Sequence, residues 1–571
     1  MKHSIAKLWL LFGLLLLPFP TWPATWFVRP GVYDGQDTNG NPVALGAVCG
    51  MQNGTNYDNA WNGLQAVVWG ASGVNTGDTL YVCGTHIYSF TNDTRLNQQA
   101  ATGTQSGVTI RMDWPDAPGL VFVGAIDSRP GTVWYGPDTN GVYWSPQAPL
   151  QAGTAWQTQT PLCFQVDGTA ITPLTRKTNT TWVGDLGSAA FIGNTNFVKT
   201  TTGAAPSNNM AMAMYGWKFW FVSNTNITFR SCHFLGNFPF VTSGNKYIIC
   251  DGCTFMQGIQ LDLYYGHDYW TFANCEIGFT TCGIYTHING QPRGPNYLIV
   301  TNCYIHDCDT KDYPDADGHG IGVQGGSFCL LTHNHIERTG SAIEFWTQSQ
   351  PMSNNIISYN AISDTHVCKV SAGNGVSISG DNTLSVPGLR TGIRIFGNVI
   401  WNTQASGIGS NNKDYMEVFN NTIYNAQRGI GFGVIGGNAY GMVQNNIIVG
   451  TRGPYAIAIR GDTASTTNLL VNYNLYPGNA TSANISVSSN VPHDQNSVFA
   501  DTVFLSSTPS AAPGFQLRAG SKAIKAGIPA GLTQDFAGNP IPATAPDIGA
   551  YQYSPLSSGL LPPDGLRVEG Q

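Results

Sequence analysis

The chain has 571 residues, a net charge of −7 at pH 7 and only 10% charged residues. Proteins that bind nucleic acid usually show a basic face, and no basic face is evident in this sequence, which argues against that class. The chain also carries 68 glycines and 15 tryptophans, which would suit a β-rich fold with aromatic rings packed in its core or stacked on sugars.

The N-terminal segment has the features of a secretion signal. Lys2 and Lys7 give it a positive start, residues 8–19 form an apolar core, and Pro23-Ala24 offers a small-residue cleavage point. The apolar core is too short to span a bilayer, and no later stretch is long enough. We therefore expect residues 1–24 to be a signal peptide and the mature protein to be secreted or periplasmic, with no membrane span.

Residues 25–106 are predicted to cap one end of the fold. TWFVRPG begins this segment as a strand, and Trp61, Leu64 and Val67 then recur at helical spacing, which predicts a helix. The turn and strand sequences GDTLYV and GTHIY follow. This order resembles the amino-terminal cap of exported pectate-lyase-like β-helix proteins. The resemblance implies a stack of coils behind the cap, since the open end of such a stack must be covered.

Residues 107–213 do not follow the repeat that organises the later chain. SGVTIRMDW is expected to start the first coil, and the short β runs after it are broken by Gly, Pro and Asn. These runs predict a small inserted β domain. The order of VDGT, a nearby Leu and a strand ending before Pro resembles the β-sandwich found within some β-helix glycosidases.

Between residues 214 and 476 one short phrase returns every 21 to 38 residues: β-formers, then Asn or Cys, any residue, and Ile, Phe or Tyr. Such a period is typical of a solenoid, whose units are too small to bury their own apolar faces. The apolar–polar alternation and the absence of a leucine pattern favour an all-β, right-handed parallel β-helix over a leucine-rich repeat or a propeller. The Asn/Cys positions are Cys232, Cys253, Cys275, Cys303, Asn334, Asn360, Asn398, Asn421, Asn446 and Asn474.

The Asn and Cys positions predict two kinds of stacked column. Asn side chains can hydrogen-bond up and down such a column, so we expect an amide ladder. The Cys residues are expected to be buried packing residues rather than a metal site. Export would also permit disulfides. The candidate pairs are Cys49–Cys83, Cys275–Cys282 and Cys303–Cys308.

Residues 477–553 are expected to close the solenoid with its last coils and a cap. The segment from Gly520 to Tyr553 resembles a carboxy-terminal motif of exported bacterial β-helix proteins, although Lys525 stands where that motif usually carries Asp. Residues 554–571 are rich in Pro, Gly and Ser, and we expect them to form a flexible tail.

Polar residues gather on four consecutive repeats. A second apolar ladder that includes Ile259, Ile284, Ile321 and Ile343 is expected to point inward, so the residues one and three places later face outward. On strands about 4.8 Å apart they would form a patch roughly 15 Å long, the span of a few sugar units. The predicted substrate contacts are Asp262, Tyr285, His287, Gln324 and Trp346.

Three insertions, at residues 288–295, 306–318 and 379–390, fall in or next to the same half of the repeat, which favours one binding face. The second insertion is acidic and ends in a fragment of a calcium-loop pattern. Its candidate ligands are Asp309, Asp312 and Asp315, and a solvated acidic loop is the simpler alternative. We expect no required cofactor, with calcium as the ion that this loop would suit.

GHGIGVQGG at residues 318–326 resembles the Gly-His-Gly segment of polygalacturonases, which are β-helix glycosidases. The resemblance would make His319 the active-site histidine, and glycines 318 and 320 would leave room for a substrate close to the backbone. The Asn-Thr-Asp, Asp-Asp and Arg-Ile-Lys motifs of those enzymes have no counterpart in the neighbouring repeats. The resemblance therefore does not extend to membership of that family.

Hydrolysis of a glycoside usually needs two carboxyl groups, one as acid and one as base or nucleophile. Asp317 and Glu344 lie one repeat apart and are the predicted pair. His319 would tune or relay protons near neutral pH, and Trp346 would stack on a sugar face. We therefore predict a secreted, monomeric glycoside hydrolase that binds a polysaccharide along the solenoid.

Two alternatives stay open. A polysaccharide lyase or uronate epimerase would use His319 or Tyr285 as the base, with calcium or a nearby cation neutralising the carboxylate of a uronic acid. The candidate cations are Arg338, Lys369 and Arg394. A non-catalytic, glycan-binding surface protein is the third possibility, because a β-helix does not by itself define a function.

Overall fold

The described residues of the computed structural model build a stack of parallel strands. They are residues 23–30, 50–88, 106–123, 134–145, 162–167, 170–176, 186–192, 195–206, 210–213, 225–236, 246–256, 261–264, 266–288, 293–308, 317–347, 350, 352–368, 371–380, 390–410, 415–432, 440–459, 469–477, 485–486, 495–501 and 504–555. Most of residues 1–24, nearly all of the proposed tail, Lys369 and the three candidate calcium ligands lie outside this part.

Three long sheets run through the stack. The first sheet contains Trp61–Asn62, Thr25–Arg29, Thr79–Val82, Val108–Arg111, Thr225–Arg230, Lys246–Asp251, Thr271–Ala273, Ile299–Thr301, Leu330–Thr332, Ile356–Ser358, Ile393–Phe396, Tyr415–Phe419, Tyr440–Gln444 and Leu469–Asn472. The second contains Thr85–Tyr88, Leu120–Val123, His233–Gly236, Thr254–Met256, Glu276–Gly278, Tyr304–Cys308, His335–Thr339, Ala361–Ser363, Val399–Trp401, Thr422–Tyr424, Ile447–Val449, Leu475–Tyr476 and Val498–Phe499. The third contains Leu261–Tyr264, Ile284–His287, Ile321–Gln324, Ile343–Thr347, Val376–Gly380, Ser406–Ser410, Arg428–Phe432, Ile457–Ile459 and Ile485–Ser486.

The chain visits the three sheets in turn and then begins again one layer along. One coil runs through Ile299–Thr301, Tyr304–Cys308 and Ile321–Gln324, and the next begins at Leu330–Thr332. Each strand pairs in parallel with its counterpart in the next coil, as Tyr304–Cys308 does with His335–Thr339. This topology confirms the predicted parallel β-helix.

Aliphatic side chains fill the inside of the coils. In one coil Val300, Ile305 and Ile321 point inward from the three sheets, and all three are fully buried. Their counterparts in the next coil are Leu331, Ile336 and Ile343. Each coil contributes only one thin slice of this core, so it is stable only between neighbours.

The predicted amide ladder is present between the first and second sheets. The side-chain amide of Asn360 donates to Asn398 at 2.9 Å, and Asn398 in turn donates to Asn421 at 2.9 Å. The backbone N–H of Asn360 shares the same acceptor oxygen on Asn398. The ladder runs from Asn334 to Asn474.

The Cys column continues this ladder toward the N-terminus as buried packing residues, as expected. The thiol of Cys275 donates to the carbonyl of Cys250 at 3.3 Å rather than joining another sulfur. Cys275 and Cys303 are free thiols, so the Cys275–Cys282 and Cys303–Cys308 pairings are wrong. Cys83 is also free, and its proposed partner Cys49 lies outside the described residues.

Two small sheets are separate from the three long ones. Their strands lie in sequence between Leu120–Val123 and His233–Gly236, the second and third strands of the second sheet. They contain Thr175–Arg176, Ser188–Ile192, Thr195–Lys199 and Tyr143–Ser145, and Met210–Ala213, Leu162–Asp167 and Ala170–Pro173. A further pair, Met352–Ser353 with Arg390–Thr391, lies between the third and first sheets. The strands of the small sheets fall inside the segment for which the sequence predicts an insertion.

The helix expected near Trp61 is wrong. Residues 61–62 form a short strand that pairs with Thr25–Arg29, so the apolar side chains pack onto the first sheet rather than along a helix. The described helices are single 3-10 turns, Tyr57–Asn59, Leu64–Ala66 and Ala512–Phe515. None of these turns has the length or apolar character that a membrane-crossing helix would need.

Strands Ile485–Ser486 and Val498–Phe499 add the expected last coils, and the segment after them covers a flank of the stack. Phe504, Phe515 and Ile548 pack against outward-facing residues of the second sheet, including Trp401 and Ile447. Hydrogen bonds fasten the same segment to the coils, as from Asn445 to the carbonyl of Ile528 at 2.7 Å. In its C-terminal coils the second sheet therefore also has apolar residues on its outer face, and these form a second apolar core with the C-terminal segment.

Replacing Asn398 with Ala should lower the free energy of unfolding by about 3 kcal/mol, because the substitution leaves two buried donors of Asn360 without their acceptor. Urea unfolding measures this change. Asn402→Ala, at a corner of the same coil, is the control. It should cost about 1 kcal/mol, because it strains a left-handed backbone and the hydrogen bonds it loses to Asp364 and Asn425 are open to replacement by water. Equal losses in both variants would show that the ladder does not stabilise the stack.

Candidate active site

The outer face of the third sheet carries two columns of side chains along the stack. Tyr285, Gly322 and Glu344 stand next to one another in the first column, and Gln324 and Trp346 in the second. The three sequence insertions all border this sheet. The insertion at residues 306–318 precedes the strand Ile321–Gln324, and the other two begin at the ends of Ile284–His287 and Val376–Gly380. These residues of the predicted patch therefore share one flank of the stack.

In the first repeat of the expected patch, the strand pairs with its neighbour in a register two residues away from the predicted one. Leu261 rather than Ile259 lies beside the inward Ile284, so Asp262 pairs with Tyr285 and belongs to the column of Glu344. The expected pairing of Asp262 with His287 is wrong for this reason. A shift of two residues keeps every side chain on its own face, so alternation in the sequence does not detect it.

Glu344 and His319 form the centre of the site. The Nε2 atom of His319 lies 3.1 Å from the Glu344 carboxylate, and the Ser379 hydroxyl donates to the other carboxylate oxygen at 2.5 Å. The side chain of His319 is 6% exposed and that of Glu344 is 17% exposed, so the carboxylate retains a route to solvent. The other ring nitrogen of His319 is buried and has no hydrogen-bond partner among the described residues.

Asp317 lies on the other side of Tyr285. The phenol of Tyr285 hydrogen-bonds with the Asp317 carboxylate, and its ring lies parallel to the His319 imidazole with centroids 6.1 Å apart. Burial, the charge of Asp317 and that of Glu344 together raise the pKa of Tyr285 well above its usual range, so the phenol keeps its proton. Asp317 is therefore a neighbour of Tyr285, and Glu344 contacts His319, whose ring is stacked on Tyr285.

The two glycines that flank His319 are required by packing, and the expectation that they make room for substrate is wrong. Gly318 has a left-handed backbone (φ +67°), and a Cβ there would lie 2.8 Å from the sulfur of Cys368. A Cβ on Gly320 would lie 2.7 Å from the carbonyl of Ala342. The Cys368 thiol also donates to the carbonyl of Asp317 at 3.1 Å, which ties this segment to the coil two layers along.

Gly322 is the glycine that shapes the site. A Cβ at this position would lie 2.5 Å from the Tyr285 ring and 3.2 Å from His319. The two rings therefore occupy the space that a side chain would take between Tyr285 and Glu344. Its role is not evident from the sequence motifs, although it is the last residue of the GHGIG sequence at 318–322.

The remaining predicted contacts occupy the second column and its neighbourhood. Gln324 is half-buried, and its amide oxygen accepts a hydrogen bond from the backbone of Ile288 at 2.9 Å, so it fastens the preceding coil. Trp346 is half-buried beside it. His287 and Asp262 stand on described strands, but the structure describes nothing of their side chains.

The two described residues among the expected groove cations do not lie on this face. Arg338 is on the second sheet, where its guanidinium donates to both oxygens of Asp307 at 2.9 Å and also binds Glu337. Arg394 is on the first sheet and donates to Glu417 at 2.9 Å. Placing these two arginines near the groove was wrong, because adjacent positions in the repeat belong to different sheets.

The network around Arg338 has its own buried histidine. The Nδ1 atom of His306 lies 2.8 Å from Asp307, and its Nε2 atom lies 3.4 Å from Glu276. Burial alone would lower the pKa of His306, but hydrogen bonds and charges from the two carboxylates outweigh burial and raise it above its ordinary value. Tyr304, which stacks on His306, has its pKa raised to about 12 by burial and by its hydrogen bond to Glu337.

Comparison with known proteins defines the class of fold. The family described as "Right handed beta helix region" matches residues 240–388, and with the sheet topology this shows a right-handed parallel β-helix. The resemblance noted in the sequence is thereby confirmed at the level of the fold. A search of curated proteins found no match.

Several solved structures are similar over most of the chain. The pectate lyase Pel9A has 16% identity and a TM-score of 0.41, covering 94% of this chain and 97% of its own. XylC, solved with xylose, has 11% identity and a TM-score of 0.48, covering 93% and 99%. A mannuronan C-5 epimerase module from Azotobacter vinelandii has 10% identity and a TM-score of 0.33, covering 74% and 91%. At these identities and TM-scores we transfer no function from them.

Gly322→Ala should displace the Tyr285 and His319 rings and lower the activity of the site by about tenfold or more, with the coils still folded. Gly409→Ala is the matched control. It stands three coils further along the same column, where the nearest atom to an added Cβ is 3.5 Å away. Turnover on the preferred glycan and far-UV circular dichroism measure both effects, and equal activities would show that ring placement is irrelevant.

His306→Gln should destabilise the protein more at about pH 5.5 than at about pH 8.5. Because the folded-state pKa of His306 is raised, its stabilisation is complete below about pH 6.5 and is lost as the pH rises through that pKa. Urea unfolding at the two pH values measures this difference.

The control for this experiment is His233→Gln. Burial lowers the pKa of His233, so the pH dependence of this variant should have the opposite sign. A loss at His306 that does not change with pH would mean that this histidine does not carry a proton in the folded protein.

Proposed function

We propose that the chain is an exported glycoside hydrolase that cleaves a glycan bound on the outer face of the third sheet. The observation that carries this proposal is the contact of Glu344 with His319 at 3.1 Å, next to the Tyr285 ring whose pKa is raised by burial and by the charges of Asp317 and Glu344. Acid–base cleavage of a glycosidic bond needs a carboxyl pair of this kind.

The neighbours of the two carboxyl groups suggest their roles. Glu344 contacts His319 at 3.1 Å, an imidazole with which it can exchange a proton, so Glu344 is assigned as the proton-transfer residue. Asp317 is next to the Tyr285 phenol, whose pKa is raised so that it stays protonated and can donate to the carboxylate. Asp317 is therefore assigned as the nucleophile or the charge that stabilises the positively charged sugar.

Trp346 supports the proposal as a partly exposed ring beside the carboxyl pair. It stands in the column next to Glu344 and two residues further along the same strand. An aromatic ring two residues from Glu344 on the same side of the strand would suit the apolar face of a sugar. Ser379, next to Trp346 in the same column, bonds Glu344 and holds the carboxylate in place.

Hydrolysis is favoured over elimination by the charges on this face. Elimination from a uronic acid requires the carboxylate of the substrate to be neutralised. The two described arginines considered for that role are on other sheets and are already paired with Asp307 and Glu417. A neutral glycan fits this face better than a polyuronate.

Glu344→Gln should lower turnover by about 10²- to 10⁴-fold, because the amide cannot transfer a proton. Incubation with a panel of glycans, followed by mass analysis of the products, measures turnover and the reaction type together. Each hydrolytic product set gains the mass of one water. Glu417→Gln, an acid-to-amide change on the first sheet, is the control and should leave turnover unchanged.

Three outcomes would contradict the proposal. Full activity in Glu344→Gln would remove this residue from the mechanism. Products with unsaturated ends and no added water would identify a lyase. Binding of a glycan without turnover by the unsubstituted protein would identify a non-catalytic binder.

A further inference from the structure

The corner between the third and first sheets carries a row of exposed aromatic side chains that the proposed mechanism does not use. Tyr247, Tyr269, Tyr297 and Phe328 stack face to face on successive coils, and we call this row the aromatic ladder. Successive ring centroids are 4.6, 4.5 and 5.0 Å apart, with planes within 11° of parallel. The four side chains are 37% to 47% exposed.

The backbone at this corner does not favour aromatic residues. All four ladder residues have a left-handed backbone, with φ between 57° and 60°. The same position is Asn226 in the coil before the ladder, and Asn354 and Gly392 in the coils after it. Asn and Gly adopt this conformation readily, whereas aromatic residues do so at a cost. The stacking energy of three ring pairs is of the same order as that cost, so stability alone does not explain the ladder.

The ladder and the candidate active site occupy the same coils. Tyr269 begins the coil that carries Tyr285, Tyr297 begins the coil of His319, and Phe328 begins the coil of Glu344. The next coil begins with Asn354, and its outer face on the third sheet changes to serine. The aromatic ladder therefore starts and stops with the polar patch.

The ladder is also close to the patch along the chain. Phe328 follows Gln324 after only three residues, and the backbone of Gly325 in that turn is bonded to the carbonyl of Trp346 at 2.9 Å. A polymer that lies across the third sheet and passes Trp346 would then reach this corner. The exposed edge of the ladder offers three phenol hydroxyls and one apolar ring to it, which suits the mixed polar and apolar surface of a sugar chain.

We infer that the aromatic ladder is a second contact surface for the polysaccharide and extends the binding face of the third sheet around the corner. This inference rests on the proposed function for the identity of the ligand. It assigns to the ladder the binding of sugar units beyond those at the reacting bond. Long polymers would gain affinity from it, and short oligosaccharides would not reach it.

The test replaces ladder residues with the amino acid that the same column uses elsewhere. Tyr269→Asn and Tyr297→Asn, singly and together, suit the left-handed backbone, so the coils should remain folded, as thermal unfolding will check. Tyr415→Asn is the control, because Tyr415 is 42% exposed on the first sheet and lies outside the ladder. All variants are made in the Glu344→Gln background so that polymer is not consumed.

Affinity electrophoresis in gels containing xylan, a β-glucan, an arabinan or polygalacturonate measures binding. The parent protein should be retarded by at least one polymer, and the double ladder variant should bind that polymer about tenfold more weakly, with Tyr415→Asn unchanged. Equal retardation of the ladder variants and the parent would overturn the inference. So would a parent protein that none of the polymers retards.

The same experiment separates this inference from the proposed function. If the Glu344→Gln parent still turns over a glycan, the assignment of the catalytic residue fails, and the ladder variants still report on binding. If turnover is lost but the ladder variants bind as the parent does, the hydrolase stands and the ladder is a structural feature of the corner.

Discussion

Hydrogen bonds between successive coils are the constraint on which the rest of this structure depends. Each strand pairs in register with its counterpart one coil away, and the Asn ladder repeats that register with side chains. Because every coil must match the one before it, a residue type that suits one coil tends to recur in the same column. The inward columns repeat Ile and Val for this reason, and the outward columns are left free to differ.

The outer faces of the sheets have accordingly taken different roles. The second sheet is apolar where the C-terminal segment covers it, and carries the network of Arg338 and His306 in earlier coils. The third sheet carries Glu344 and its neighbours on the coils that also hold the aromatic ladder. The concentration of polar and aromatic side chains on these few coils, rather than their spread along the stack, favours a site over a uniformly solvated surface.

Contacts between equivalent positions of successive repeats could be predicted from the sequence. The sheet on which a residue outside such a column lies could not. The Asn ladder followed from a single column of Asn. The contact between His319 and Glu344 joins residues about one repeat apart. The placement of Arg338 failed because a corner of three residues, 340–342, separates its sheet from the third sheet. The helix near Trp61 failed because pairing with a neighbouring strand outweighed its apolar spacing.

The sequence by itself determined that this chain stacks into a parallel β-helix, because the period of its apolar residues leaves each repeat unable to bury its own core. It also determined which side chains face outward, since alternation assigns a face to every residue of a strand. The tertiary structure decided which outward side chains meet: Tyr285 with Asp317, His319 with Glu344, and Asp262 in a column two residues from the expected one. The physical reason is that register and close packing are set between coils, and a shift of two residues leaves the alternation of the sequence unchanged.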